Sequence, residues 1–456
     1  MKKRILLSFL AVLIVSVVLV LCGCELESAR GISKSAINEA GELIITYTDG
    51  SQENLGVVVG RNGVDGLNGL NGLDGKDGIN GLDGKDGVDG INGKDGVDGK
   101  DGEIIISGEG QSVSIAAAKA TRSAVSIVSL YGSDSLPASG SGVIYKYVPE
   151  ADGYFIITNH HVVFDATEGV SEEIYVMLYG NEYQEGFIPA QYVGGTMNYD
   201  IAVLFVENND LLKNSCAVPV TVASSDSVSI GDTAIAVGNA RGEGLSVTSG
   251  IISVDSESIE MTAADGKTTV KYRVMRTDAP INRGNSGGGI YNDKGELIGI
   301  ANAKIIMDGV EGFGYAIPST LACNVADNLI DNCYGQENKA VLRALLGITV
   351  SVSESVAKYD PTTGKISIVE TIFVYEASPT NLFGEDLKVN DIIKSIVLDG
   401  KEEIQATRQH HIIDYLLQAR LGDTGTLVVE RYNQETGVYE DISLSFEITA
   451  DAIVEY

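Results

Sequence analysis

From about residue 113 to 319 the apolar positions fall in short runs rich in Val, Ile and Tyr, separated by Gly, Asn and Asp. "AVSIVSLYG", "SGSGVIYKYV", "GYFIIT", "EIYVMLYG", "DIAVLFV", "DTAIAVGN" and "VTSGIISV" follow one another at regular intervals. Such spacing without intervening helices predicts an all-β barrel or sandwich, not a wound parallel sheet. "STLACNVADNLIDNCY" carries apolar residues at helical spacing and is expected to close this region with a helix. Beyond Val341 a second, smaller unit begins: "LLGITVSV", then "LKVNDIIKSIVLDGKEE", a helical "TRQHHIIDYLLQARLG" and a strand "GTLVVERYN".

The N-terminal part reads differently. Met1 to Arg4 is basic, Ile5 to Leu21 is almost wholly apolar, and "LCGC" follows, the pattern of a secretory signal. An uncleaved membrane helix is the alternative, since the run is near the lower length limit for spanning a bilayer. "ELIITYTDGSQENLGVVV" predicts a β-hairpin turning at "DG". From Gly60 to Gly102 every third residue is glycine, the period of a collagen triple helix, whose axis admits no side chain. The run lacks proline, so nothing presets its dihedrals. A triple helix and a flexible acidic spacer are both open, and an extended run at about 3.1 Å per residue would reach on the order of 130 Å.

At 456 residues the chain is long enough for two or three domains. Its formal net charge of −31 argues against nucleic-acid binding, which needs Lys and Arg to displace phosphate counterions. Proteins are the expected partners. If Cys24 carries lipid and Cys22 leaves with the signal, Cys216, Cys323 and Cys333 remain, too few for a disulfide framework and expected to be buried or inert.

The chemistry centres on "INRGNSGGGIYNDKGELIGI", residues 281–300. A serine hydroxyl needs a base, and the chain has four histidines: His160, His161, His410 and His411. Gly284, Ser286 and Gly288 fit G-x-S-x-G, but that elbow requires a helix directly after the serine, and here strand, turn and strand follow. The order His, Asp, Ser fits better: "GYFIITNHHVV" ends an apolar strand at a histidine pair, and "NYDIAVLFV" puts Asp200 at the mouth of another. Glycines around Ser286 let backbone N–H groups face a developing oxyanion.

These stretches, with "RTDAPINRGNSGGGIYNDKGELIGI" and "GFGYAIPS", resemble the trypsin-like serine proteases of the HtrA/DegP type over most of residues 120–320. The resemblance implies a chymotrypsin-like double β-barrel and a catalytic triad of His161, Asp200 and Ser286, leaving His160 as the variable position. It implies an oxyanion hole from the amides of Gly284 and Ser286. It suggests small aliphatic residues at the cleavage site, with Ile281 and Ile300 as pocket walls. Gly289 departs from the family's usual proline or small residue, and is expected to loosen the following strand. Residues 341–456 resemble a PDZ domain, in which Leu346, Gly347 and Ile348 would form the loop that holds a peptide's C-terminal carboxylate. A small αβ packing domain is the alternative for this unit. His410 and His411 are then expected beside the peptide groove or on the exposed side of the helix, without metal partners. The order Leu21, Cys22, Gly23, Cys24 resembles a bacterial lipobox, with Cys24 lipidated.

The organisation expected is therefore a lipoprotein signal at 1–24, a small β spacer at 25–59, a Gly-x-y stalk at 60–102, a protease domain at 112–335 and a PDZ domain at 341–456. The fold class is mainly β. The expected function is a lipid-anchored serine endopeptidase on the extracytoplasmic face of a bacterial membrane. It needs no cofactor or metal, acts on misfolded or exported proteins, and assembles by resemblance as a homotrimer. The competing reading is a non-catalytic trimeric scaffold or holdase that binds unfolded clients.

Overall fold

A computed structural model describes residues 32–38, 42–57, 113–132, 137–181, 186–303 and 313–456. The signal segment, Cys24 and the glycine repeat lie outside the described residues. The chain divides into two units, Met1–Lys100 and Asp101–Tyr456.

In the first unit, β1 (Ile32–Ile37), β2 (Glu42–Tyr47) and β3 (Gln52–Val57) form an antiparallel meander. The expected hairpin is β2–β3, turned at Gly50, whose φ of +82° suits a residue without a Cβ. Strand β1 is an addition to that expectation.

The second unit begins with a helix that the strand-rich texture concealed, α1 (Val113–Thr121), which buries Ala116 and Ala120. Next come β4 (Ala124–Leu130), β5 (Ala138–Val148), β6 (Gly153–Thr158), the single turn α2 (His160–Val163), and the short pair β7 (Phe164–Asp165) and β8 (Gly169–Val170). Strands β9 (Glu173–Leu178), β10 (Ile188–Thr196) and β11 (Ile201–Glu207) complete a closed antiparallel barrel in the order β10-β11-β6-β5-β4-β9. Closure leaves no open sheet edge. Ile127, Ile144, Ile156 and Leu204 from four of its strands fill one face of the first barrel's core.

After α3 (Asp210–Lys213), the strands β12 (Thr233–Gly238), β13 (Ser246–Thr262), β14 (Thr269–Thr277), β15 (Gly289–Tyr291), β16 (Leu297–Asn302) and β17 (Gly314–Pro318) close a second barrel, β12-β13-β14-β17-β16-β15. Helix α4 (Ser319–Cys333) then packs back on β10, β11 and β16, tying the barrels together.

Gly289 is not a loosening point. A Cβ there would lie 2.4 Å from the Tyr291 ring, which is fully buried and bonded through its hydroxyl to Ser123. The glycine makes room for that ring, so it tightens the strand. Cys323 and Cys333 are buried free thiols, whereas Cys216 is exposed.

The C-terminal part adds β18 (Leu342–Ala344), β19 (Ile348–Asp360), β20 (Lys365–Ala377), β21 (Ile392–Leu398), β22 (Ile404–Gln405), α5 (Gln409–Leu416), β23 (Thr424–Asn433), β24 (Val438–Glu447) and β25 (Ile453–Glu455). Its sheet runs β19-β20-β21-β23-β24, with β19 at one edge and β22 on β21, and β18 pairs with β25. Ile372, Ile396, Leu427 and Ile412 share a core separate from those of the barrels.

Candidate active site

Segments of the first and second barrels meet at a cleft of about 550 Å³ lined by His161, Ser286, Val162, Phe164, Arg283 and Ala303, among others. Strand β6 ends at Thr158, and Asn159 opens α2 with extended dihedrals. The turn sends the histidine pair in opposite directions. His160 is buried over Gly195, where a Cβ would come within 2.6 Å of its Nδ1, and it stacks on Phe164. His161 faces the cleft.

Asp200 is held from every side. Its φ of +52° is a left-handed conformation that aspartate tolerates better than most residues. Its carbonyl accepts from the His160 amide at 3.2 Å and from Asn159 Nδ2 at 2.9 Å, which locks the turn before β11. Its carboxylate accepts from the His161 amide on Oδ1 at 3.0 Å, and lies 2.6 Å from His161 Nδ1 on Oδ2. A second donor to Oδ2 crosses from the other barrel: Asn302 Nδ2, at 2.8 Å. The other Asn302 N–H reaches Tyr272 Oη at 2.9 Å, and that hydroxyl donates to Met261 Sδ.

Burial opposes charge on Asp200, which is only 5% exposed. The His161 ring, its hydrogen bonds and His160 outweigh that penalty and hold the carboxyl below its ordinary 3.8. Burial and then the Asp200 charge push the Tyr272 phenol above its usual range, so it stays a neutral link in the chain.

Ser286 sits in a loop shaped by glycine. Gly284 has φ +96°, and a Cβ on it would stand 2.1 Å from the Asn239 carbonyl. At Gly287, φ +83°, an added Cβ would stand 2.2 Å from the Ser141 carbonyl and 2.3 Å from Thr158 Oγ1. The Ser286 carbonyl accepts from the Ser141 amide at 2.8 Å, and Ser141 Oγ donates to the Gly284 carbonyl at 2.7 Å. Ser286 Oγ accepts from the Ala303 amide at 3.2 Å, which leaves its own proton free for the cleft. Among the described residues, neither the Gly284 nor the Ser286 amide donates to a protein acceptor.

The structure thus brings His161, Asp200, Ser286 and Gly284 to one place. Ile281 and Ile300 do not line that cleft. Ile300 is fully buried in one core cluster of the second barrel, and Ile281 packs over Gly314 beside another. Asn302 and Tyr272 were absent from the sequence reading. A polar residue ending the otherwise apolar β16 was the one available signal.

A trypsin-like peptidase domain model matches residues 140–300, which takes in parts of both barrels and every residue of this cluster except Asn302 and Ala303. Residues 140–300 are similar to a trypsin-like peptidase domain. A collagen triple-helix repeat model matches residues 56–110. The peptidase domain and its surroundings are similar to the serine protease Do-like HtrA of Bacillus subtilis, 34% identical over 324 residues, covering 67% of this chain and 65% of the relative. They are also similar to the periplasmic serine endoprotease DegP of Escherichia coli, 36% identical over 269 residues, covering 58% and 49%. The chain therefore spans about half to just under two thirds of the length of these relatives. A solved structure, the HtrA-type protease AlgW with tripeptide, is 28% identical with a TM-score of 0.45, covering 74% of this chain and 97% of that one.

Leu346, Gly347 and Ile348 lie about a second groove, in the C-terminal unit. This cleft of about 550 Å³ runs between the start of β19 and α5, which supplies Ile412, Ile413 and Leu416. Gly347 has φ +74° and leaves 2.7 Å between an added Cβ and Asn381 Cα. Gln409 Nε2 reaches across to the Val350 carbonyl at 3.2 Å.

Proposed function

We propose that the protein is an extracytoplasmic serine endopeptidase, with Ser286 as nucleophile, His161 as general base and Asp200 as its orienting partner. The observation that carries this reading is the convergence of Ser286 from one barrel with the Asp200–His161 pair from the other in a single cleft. Asp200 accepts from Nδ1, so the proton on that ring is fixed there and Nε2 presents its lone pair to the cleft. Ser286 Oγ attacks the peptide carbonyl carbon as its proton passes to His161 Nε2. The carbonyl π electrons move to oxygen, which the free amides of Gly284 and Ser286 stabilise. Collapse breaks the C–N bond, and the leaving amine takes the proton from His161. Water then attacks the acyl-enzyme through the same base and frees Ser286.

Misfolded or exported proteins are the proposed substrates, and the Cys24 lipid anchor, the glycine-rich stalk and a homotrimer complete the reading. The test is digestion of unfolded casein by the purified full chain. Fragments that accumulate with time support the peptidase; capture of casein without fragments supports a holdase.

Gly284→Ala probes the oxyanion loop. The new methyl group would meet the Asn239 carbonyl and force the loop off φ +96°. We expect kcat to fall about a hundredfold while KM changes little, the loss typical of one displaced oxyanion donor.

For the C-terminal unit we propose peptide capture by strand addition to the β19 edge, with Leu346, Gly347 and Ile348 holding the terminal carboxylate. Gly347→Val, which no left-handed β-branched residue fits comfortably, should abolish binding of a fluorescent peptide with an apolar C-terminus. Hydrolysis of a short peptide substrate by Ser286 should continue in the same variant.

A further inference from the structure

His410 and His411 open helix α5, and the sequence offered them no metal partner. Folding supplies one from far upstream: Asp226, in the short 3-10 turn Ser225–Ser227 of the barrel region. One ligand atom from each of the three residues lies within 4.8 Å of the others. The two rings stand 4.7 Å apart and perpendicular.

The second layer of contacts suits ligation. His411 Nδ1 lies 3.3 Å from the Gln405 carbonyl and 3.4 Å from Thr407 Oγ1, and donation from Nδ1 to that carbonyl leaves Nε2 with a lone pair. Neither ring nitrogen of His410 makes a hydrogen bond among the described residues. Two nearby cations are held by carboxylates. Arg273 is 2.7 Å from Asp414, and its Nη1 and Nη2 also donate to Asp226 Oδ1 at 3.4 Å, which leaves Asp226 Oδ2 for an ion. Arg408 pairs with Asp255 at 3.3 Å and Glu370 at 3.4 Å. Asp226 Oδ2 accepts no hydrogen bond among the described residues.

We propose that Asp226, His410 and His411 bind one divalent transition-metal ion of the zinc class, fastening α5 to the barrel body. Two imidazoles and a carboxylate, with water as fourth ligand, are a donor set that zinc accepts and magnesium or calcium does not favour. Tetrahedral zinc with bonds of about 2.0–2.1 Å spaces its ligand atoms roughly 3.3 Å apart. The side chains therefore close by no more than side-chain torsions supply. A cleft of about 300 Å³ gives the ion entry. The opposite face of α5 forms a wall of the groove beside β19, so the ion would fix that wall to the barrels. The metal site itself stands independently of the peptidase reading.

The test uses the full chain stripped with chelator and titrated with Zn²⁺ against a chromophoric competitor, then with Co²⁺ for its visible spectrum. The expected result is one saturable site per chain, with tetrahedral-type cobalt bands. Affinity should fall at least about tenfold in both Asp226→Asn and His411→Gln. Melting of the metal-free variants checks that they fold. A third measurement needs no variant: Zn²⁺ should shield His410 and His411 from diethyl pyrocarbonate, read by mass spectrometry, while His161 is modified as before. Affinity unchanged in both folded variants, or equal modification of the two histidines with and without Zn²⁺, overturns the proposal.

Discussion

Replacing Ser286 by alanine is expected to lower kcat for casein or peptide cleavage by on the order of 10⁶-fold, with the melting temperature nearly unchanged. The size follows from the role: removing the nucleophile leaves only the oxyanion amides and substrate binding. The small stability effect follows from the contacts. Ser286 Oγ makes one hydrogen bond among the described residues, accepted from Ala303 at 3.2 Å, whereas the loop is held by backbone bonds that alanine preserves. Progress curves and thermal melts measured on the same preparation separate the two. A variant that lost activity only because it unfolded would count against the assignment, as would one that kept a tenth of its rate.

Asp200→Asn should be nearly as damaging, about 10⁴-fold in kcat at neutral pH, and it should also lower stability. Three N–H groups point at the carboxylate: the His161 amide, His161 Nδ1 and Asn302 Nδ2. An asparagine offers one accepting oxygen and one NH2, so some donor must face a donor. The available relief is for His161 to move its proton to Nε2, which removes the lone pair that would take the serine proton. Asn302→Ala should show a milder form of the same fault, because it removes one of two donors to Oδ2 and frees the Tyr272 hydroxyl.

The sign of the pH effect on Asp200 follows from its depressed folded pKa. The stability it contributes is fully present above its ordinary 3.8 and is lost as pH falls through the lower folded value. Loss of activity between pH 7 and pH 4 therefore has another origin than protonation of Asp200. Acid unfolding that begins only below about pH 4 would agree with this.

Much of this architecture was legible because alternating Val and Ile runs bounded by Gly, Asn and Asp leave few choices but strands. The quoted runs became β4, β5, β6, β9, β11, β12 and part of β13. The site cluster was legible too, since His161, Asp200 and Ser286 each stand at an element's end where a short motif marks the turn. Contacts that depend on barrel closure were hidden. Asn302 reaches Asp200 only because the two barrels face each other, and no local pattern encodes that crossing. Ile300 misled for a related reason: all of Leu297–Asn302 is buried, so alternation could not tell the barrel core from the cleft. Helix α1 was missed because "VSIAAAKAT" opens with β-branched residues beside strand-rich sequence, although its alanines favour helix. The Asp226 partner of the second histidine pair was invisible for want of any proximity in sequence.

The most direct measurement is covalent labelling of the full chain with a fluorophosphonate, followed by peptide mapping. The account predicts a single phosphonyl adduct on Ser286, formed at a rate that drops sharply in Asp200→Asn and in the presence of an unfolded protein competing for the cleft. No adduct on folded protein, even with an apolar C-terminal peptide added, or an adduct on another serine at the same rate, would contradict it.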